Sequence, residues 1–315
     1  MPTFIMQFRK RIGKLLLVIL MLLPIGFIAV FLVEQPTVSS NDPYSIYKEQ
    51  NYLDVKRRWY SYSDSGESDL NGPTVSMDDP KVIAKIRRKF LVPPSLRTEP
   101  YNLDAPLVYN TSMGQSEMIL SILGEQKEGF FVECGALDGE TRSNTLYFER
   151  HLNWSGLLLE ADPLNFVKME VKKRKAYLSP TCLSSKPYPI MVSFKQAFNV
   201  GKISNHPPGY RGFGHVDVQC FPLYSYLLAL NRTKVDYFSL DVEGSELDVL
   251  RTIPFEKLDI RTMSVEFVHV KEGKMALRKF VEQQGYVLHS EVTHKDNLAN
   301  DFIFVKSSVV TDTNF

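Results

Sequence analysis

Several things that would narrow the function at once are scarce in this chain. It has only three cysteines in 315 residues, too few for a disulfide-built scaffold, and no C-x-x-C pair. The six histidines are scattered, so no cluster with metal-ligand spacing is legible and no metal is expected. The formal net charge is +1, which excludes a whole-protein basic field and with it nucleic acid as an expected partner. The local basic runs Lys56-Arg57-Arg58, Arg87-Arg88-Lys89 and Lys172-Lys173-Arg174-Lys175 read as solvated helix faces or loops. No internal repeat is visible. What is present is an ordinary globular composition, 44% apolar and 23% charged, enough for one good-sized core with appendages.

The segment from Leu15 to Val33 is without charge. Its nineteen residues would span about 28 Å as a helix, close to a bilayer core of about 30 Å. Pro24 and Gly26 are tolerated in such helices. Arg9, Lys10, Arg11 and Lys14 precede it and Glu34, Asp42 and Glu49 follow, so the positive-inside rule places the N-terminus in the cytoplasm and the rest across the membrane. A cleaved signal peptide is the competing reading, but the exit FLVEQP has no small-residue cleavage pattern. The expected organisation is a cytoplasmic tail at 1–14, a transmembrane signal anchor at 15–33, a polar stalk at 34–78, a helical extension at 79–112, an α/β domain at 113–306 and a tail at 307–315. Three sequons, at Asn110, Asn153 and Asn231, fit a luminal or extracellular domain as glycosylation sites. Cys134 lies in an apolar strand pattern and reads as a buried free thiol. Cys182 and Cys220 can pair in an oxidising compartment, or remain two thiols.

Asp79-Pro80 marks a helix start, with Val82, Ile83, Ile86 and Phe90 on one face. Residues 113–123 give an amphipathic helix stopped at Gly124. Strands and helices then alternate. Strands are expected at 130–134, 156–160, 176–183, 236–242 and 263–267, with a closing antiparallel pair at 286–294 and 301–306. Helices are expected at 145–151, 166–175, 223–230, 245–252 and 274–284. The turn-rich stretch 191–221 reads as an inserted hairpin or flexible loop. Such alternation predicts a mostly parallel sheet with helices on both faces.

Ligands of open α/β sheets sit beyond the carboxyl ends of the strands. The first strand end carries Glu133, Gly135, Asp138 and Gly139, with two glycines that let backbone approach a ligand. The second carries Glu160 and Asp162. The fourth carries Asp241, Glu243 and Glu246, and the fifth Glu266 with His269 nearby. Each acid alone reads equally well as a cap or a surface charge. Four acidic strand ends on one edge predict a shared crevice.

The stretches GFFVECGALDGETRSNT, LLLEADP, VDYFSLDVEGSELDVL and SVEF resemble the FkbM-type methyltransferase family, LDVEGSE most specifically. The resemblance implies a class I (Rossmann-like) methyltransferase sheet of seven strands, order 3-2-1-4-5-7-6, and S-adenosylmethionine as cofactor. It implies Gly135, Asp138 and Gly139 at the methionine end, Glu160 at the ribose, and Asp241, Glu243 and Glu246 near the transferred methyl. The candidate cofactor-binding set is Glu133, Gly135, Asp138, Gly139, Glu160, Asp162 and Asp241. Asp241, Glu243 and Glu266 are the candidate catalytic residues, with His269 a further candidate base. Many family members open the helix after the insertion with Leu-Asp-Asp; here it reads Leu223-Tyr224-Ser225, which removes two carboxylates expected on the pocket rim. The further stretches SNTLYFE, VQCFPLYSYLLALNRT and LANDFIFVK, behind one anchor, resemble the Star-like membrane proteins of arthropods. That likeness implies a single-pass type II protein of endoplasmic reticulum, Golgi, endosomal or plasma membranes. It also implies a role in moving membrane-tethered EGF-receptor ligand precursors from the endoplasmic reticulum to the Golgi. The alternatives are an active O-methyltransferase and a purely structural or adhesive membrane protein.

Overall fold

The computed structural model describes residues 70–312. The expected anchor at 15–33, and most of the expected stalk, lie outside the described residues. Among the described residues, no helix is long and apolar enough to cross a membrane.

The N-terminal extension holds helix α1 (Pro80–Lys85), continued by a wider turn over Ile86–Phe90. Asp79 caps α1 by accepting a hydrogen bond from the Lys81 N–H, and Pro80 occupies the first turn, where its missing donor is harmless. Val82, Ile86 and Phe90 are fully buried. Arg87 reaches across to the carbonyls of Leu228 and Ala229 and to Asn231 Oδ1. It is therefore a C-terminal cap for another helix rather than part of a solvated face.

From there the chain runs α2 (Gln115–Leu123), β1 (Phe130–Cys134), α3 (Leu146–Leu152), β2 (Ser155–Leu159), α4 (Pro163–Val171), β3 (Tyr177–Ser179) and β4 (Cys182–Leu183). Next come β5 (Ile190–Lys195), β6 (Lys202–Ile203), β7 (His215–Phe221), α5 (Leu223–Ala229), β8 (Lys234–Leu240) and α6 (Glu246–Leu250). The chain closes with β9 (Asp259–Glu266), α7 (Lys274–Gln283), β10 (Tyr286–Thr293), β11 (Asn300–Lys306) and α8 (Ser307–Asp312). Seven strands form one sheet in the order β10-β11-β9-β8-β1-β2-β3. β3, β2, β1, β8 and β9 are mutually parallel, whereas β11 runs against both β9 and β10. This is the 3-2-1-4-5-7-6 arrangement of class I methyltransferases, with its seventh strand reversed.

The central strands are apolar on both faces because both are covered. Val132, Leu157, Phe238 and Met263 pack with α5, α6 and α7 on one side; Phe131, Leu158, Tyr237 and Ile303 pack with α2, α3 and α4 on the other. Gly156 faces Phe131 so closely that an added Cβ would lie 2.1 Å from the ring.

The insertion after β3 is more ordered than its turn-rich sequence implies. β4, β7, β5 and β6 form a second, four-stranded sheet in that order. Cys182 and Cys220 are register partners on β4 and β7 and are joined by a disulfide. Closing a 38-residue separation in this way stabilises by roughly 4 kcal/mol on a chain-entropy account. Cys134 is a buried free thiol.

The basic run at 172–175 corrects the sequence reading. Lys172, Arg174 and Lys175 are buried. Arg174 pairs with Glu149, both side chains being fully enclosed, and also donates to the Gly139 carbonyl and to Ser143 Oγ. Lys172 bridges Glu140 and Asp104. The run follows α4 as a loop folded under the segment 138–145, where acids on separate elements neutralise it. Consecutive charges in one dimension carry no trace of partners that distant in sequence.

Candidate functional site

A cavity of about 170 Å³ opens at the carboxyl ends of β1, β2, β8 and β9. Gly135, Glu160 and Asp241 all line it, as do Glu133, Glu243, Glu266, His269 and Asp301. One edge of the sheet thus gathers residues from five separate loops and strand ends. Phe194, Phe198, Val200 and Ile203 of the insertion supply an apolar wall, with the disulfide-bonded Cys182 at its base.

On the β1 and β2 side every acid is held by donors of the chain itself. Glu133 accepts from the Asn144 N–H at 2.8 Å and from Ser143 Oγ at 2.9 Å, and also from Thr145 Oγ1. Burial pushes its carboxyl up, while Arg174 and these donors pull it down. Asp138 accepts from the N–H groups of Glu140 and Thr141 and from the Thr141 hydroxyl, at 2.7–2.9 Å. These donors outweigh its partial burial and hold it below the usual carboxylate range. Asp138 and Gly139 stand behind the cavity wall rather than on it, and a Cβ on Gly139 would press on Met169 at 2.8 Å. Asp162 caps α4 through the Leu164 N–H and accepts from Gln196 of the insertion. Gly135, in the left-handed region, lies so near β8 that a Cβ would meet the Asp241 carbonyl oxygen at 2.0 Å.

Glu160 joins the two halves of this side. Its two oxygens accept separately from the Leu137 and Asp162 N–H groups, both at 2.8 Å. Burial nevertheless pushes its carboxyl up to about 8. Asn165 is a further side-chain partner of this carboxyl, which lines the cavity where a ligand hydroxyl can meet it.

The β8, β9 and β11 side is different. Glu266 and Asp301 are direct cross-strand partners, and Asp241 follows the last paired residue of β8, Leu240, opposite Val265. Three carboxylates therefore stand in a row across neighbouring strand ends. Glu246 lies beneath them and accepts from the Val242 and Gly244 N–H groups at 2.9–3.1 Å. Burial, and then the charges of Asp241, Glu246, Glu243 and Asp301, push Glu266 up to about 10. Burial lifts Asp301 to about 6; burial and the same neighbours raise Asp241 well above its ordinary value. Asp241 Oδ1 is sealed from solvent without a hydrogen-bond partner, as is Oδ1 of Asn144, whose Nδ2 donates to Ser239 Oγ on β8 at 3.0 Å. His269 Nδ1 lies 2.9 Å from Glu243 and 3.0 Å from Glu266, and its half-exposed ring lines the cavity.

Sequence reasoning did not find Asn144 or Asp301, because neither belongs to a strand-end motif: Asn144 sits at the foot of α3 and Asp301 at the start of the reversed strand β11. Tyr224 and Ser225, where two rim carboxylates were expected, do not line the cavity. Ser225 is buried and donates to the Met77 carbonyl, and Tyr224 lies under Lys257. The missing Leu-Asp-Asp pattern therefore leaves the acidic lining intact.

Strand order and the position of the cavity together define an α/β fold of the class I methyltransferase type. Residues 133–288 match the methyltransferase FkbM domain family, so the domain is FkbM-type methyltransferase-like. Similar solved structures include a methyltransferase FkbM from Methylobacillus flagellatus KT, 14% identical, covering 57% of this chain and 44% of that one, with a TM-score of 0.39. The chain thus spans less than half the length of that protein. A methyltransferase from Pyrococcus furiosus is 13% identical, with 62% and 82% of the two chains covered and a TM-score of 0.35. The N-terminal domain of human METTL16 is 12% identical, with 86% and 96% covered and a TM-score of 0.35. No curated protein matches the chain.

Proposed function

We propose that the cavity binds S-adenosylmethionine and that the domain transfers its methyl group to a hydroxyl of an acceptor. The observation that carries this reading is the open cavity in which Gly135, Glu160 and Asp241 meet, with a buried acceptor, Asn144 Oδ1, lacking a donor at its wall. The residues fit the cofactor: the Glu160 carboxyl on the cavity wall can hydrogen-bond ribose hydroxyls, and Asn144 Oδ1 suits an ammonium. When bound, the cofactor supplies an electrophilic methyl on a sulfonium. The chain's own part is to orient the partners and hold a proton. With Nδ1–H donated to Glu243 and Glu266, His269 keeps its lone pair on Nε2, available to the acceptor hydroxyl. The acidic lining disfavours phosphate and carboxylate acceptors, and the wall of Phe194, Phe198, Val200 and Ile203 favours an apolar body beside the hydroxyl. Calorimetric titration with S-adenosylmethionine and its demethylated product tests this. Micromolar binding is expected, at least tenfold weaker in Glu160→Ala, and the absence of heat with both ligands would overturn it.

A second reading keeps the same scaffold as a single-pass type II membrane protein of the secretory pathway that escorts membrane-tethered EGF-like ligand precursors. It is supported by the likeness to Star-like proteins and by the disulfide between Cys182 and Cys220, a bond that persists in oxidising compartments. Capture of such precursors by the full chain, but not by a chain lacking residues 1–33, is the expected result. Equal recovery of unrelated type I membrane proteins would count against it.

A further inference from the structure

The row of carboxylates at the ends of β8, β9 and β11 is only partly answered by protein groups: Gln115 Nε2 donates to Asp301 at 2.8 Å and Arg142 draws Asp241 down, yet one oxygen of Asp241 keeps no partner. Like charges directly opposite on paired strands repel, and Glu266 faces Asp301 in register. One ligand oxygen from each of Asp241, Glu246 and Glu266 lies within 4.8 Å of the others, a spacing that oxygens around a single small cation can adopt. Proximity of acids alone would not make a site. The independent observation is Asp241 Oδ1, which is shut away from solvent with no hydrogen-bond donor in reach. A buried carboxylate oxygen without a partner costs free energy unless a proton or a cation meets it. The orientation of the others is already fixed. Glu246 is held by two backbone N–H groups, and Glu266 by His269 Nδ1 at 3.0 Å. Such outer contacts aim carboxylates at a metal in known sites.

We propose that Asp241, Glu246 and Glu266 bind one hard divalent cation of the Mg²⁺ or Mn²⁺ class at the floor of the cavity. An all-oxygen set without thiolate or a mandatory imidazole selects such ions over zinc or copper. The remaining coordination positions face the cavity, where water or an oxygen of a bound molecule completes the shell. This site is distinct from the Glu160 and Asn144 contacts invoked for the cofactor, so either can fail without the other.

The test uses the purified full chain, stripped with EDTA and titrated with MnCl₂ alone at neutral pH, with no methyl donor present. Loss of the free-Mn²⁺ paramagnetic signal should report one saturable site per chain. Affinity should fall at least tenfold in both Glu266→Gln and Asp241→Asn and change less than twofold in Glu160→Gln. Thermal unfolding supplies a second measurement that does not depend on either variant binding metal. Mn²⁺ should raise the melting temperature of the wild type, and Glu266→Gln should melt above the wild type in EDTA but below it in saturating Mn²⁺. No saturable Mn²⁺ binding by the wild type would overturn the proposal. So would unchanged affinity in both floor variants, or a wild-type melting temperature indifferent to Mn²⁺.

Discussion

The two sides of one cavity are built from the same residue type and solved in opposite ways. On the β1 and β2 side, Glu133, Asp138, Glu140 and Glu149 each have donors supplied by the chain, and Arg174 and Lys172 neutralise the group from beneath. On the β8, β9 and β11 side, Asp301 accepts from Gln115 Nε2 and the Asn300 N–H, and Glu243 and Glu266 share His269, but Asp241 Oδ1 has no donor and the acids crowd one another. The first arrangement holds a loop in place. The second crowds its acids, and although Arg142 lines the same cavity, Asp241 Oδ1 is left without a donor. A satisfied carboxylate is explained by the structure around it, whereas an unsatisfied one points to something the structure receives.

The comparison breaks if both sides respond alike to loss of charge. The largest effect is expected at Arg174, where Arg174→Met leaves Glu149 buried and unpaired. Such a change costs about 3–5 kcal/mol, read as a fall in the urea midpoint with loosening of the segment 138–145 in hydrogen exchange. A loss below about 1 kcal/mol would show that the pair is dispensable, since buried pairs can be weak contributors. On the other side the sign reverses. Glu266→Gln in EDTA at neutral pH should stabilise the domain by about 1 kcal/mol, because the neutral amide replaces a carboxyl that must hold a proton to sit beside Asp241 and Asp301; a loss of similar size would place Glu266 among the satisfied acids.

Glu160 sharpens the boundary between the two sides, since it has two amide donors yet titrates near 8. Its unfolded value is about 4.3. Between these values the folded chain holds a proton that the unfolded chain has released, so this residue's contribution to stability is full at low pH and declines as pH rises towards 8. The slope is at most about 1.4 kcal/mol per pH unit. Urea titrations from pH 5 to pH 8 should show a shallower decline in Glu160→Gln than in the wild type. Parallel curves would mean that the amides hold Glu160 ionised throughout. The smallest effect is expected from Asn153→Gln with Asn231→Gln. Asn153 lies between α3 and β2, and Asn231 between α5 and β8, loops at the far end of the sheet from the cavity. The double variant should alter S-adenosylmethionine affinity less than twofold by calorimetry, and a larger change would put these loops in contact with the site.

Much of this architecture was legible because it is local. The Asp79-Pro80 cap, the apolar run of β1 and the glycine stop of α2 depend on neighbours a few residues away. The strand-end acids were legible as candidates for the same reason, since each follows an apolar run. Their division into satisfied and unsatisfied was not. Glu133 and Asp138 accept from Asn144, Glu140 and Thr141, while Asp241 Oδ1, in an equivalent position, meets no donor. Spacing along the chain carries no trace of the proposed cation ligands, which come from one loop, one helix and a separate strand.

The sequence by itself determined the alternation of strands and helices, their order in the sheet by family likeness, and the edge on which the acids emerge, because period, capping and chain direction are written in adjacent residues. Only the tertiary structure decided that the basic run at 172–175 lies buried beneath a loop, that the insertion folds into a disulfide-tied second sheet, and that Glu266 confronts Asp301. Those outcomes depend on which distant charges share a small, water-poor space, where one unpaired oxygen weighs more than many solvated ones.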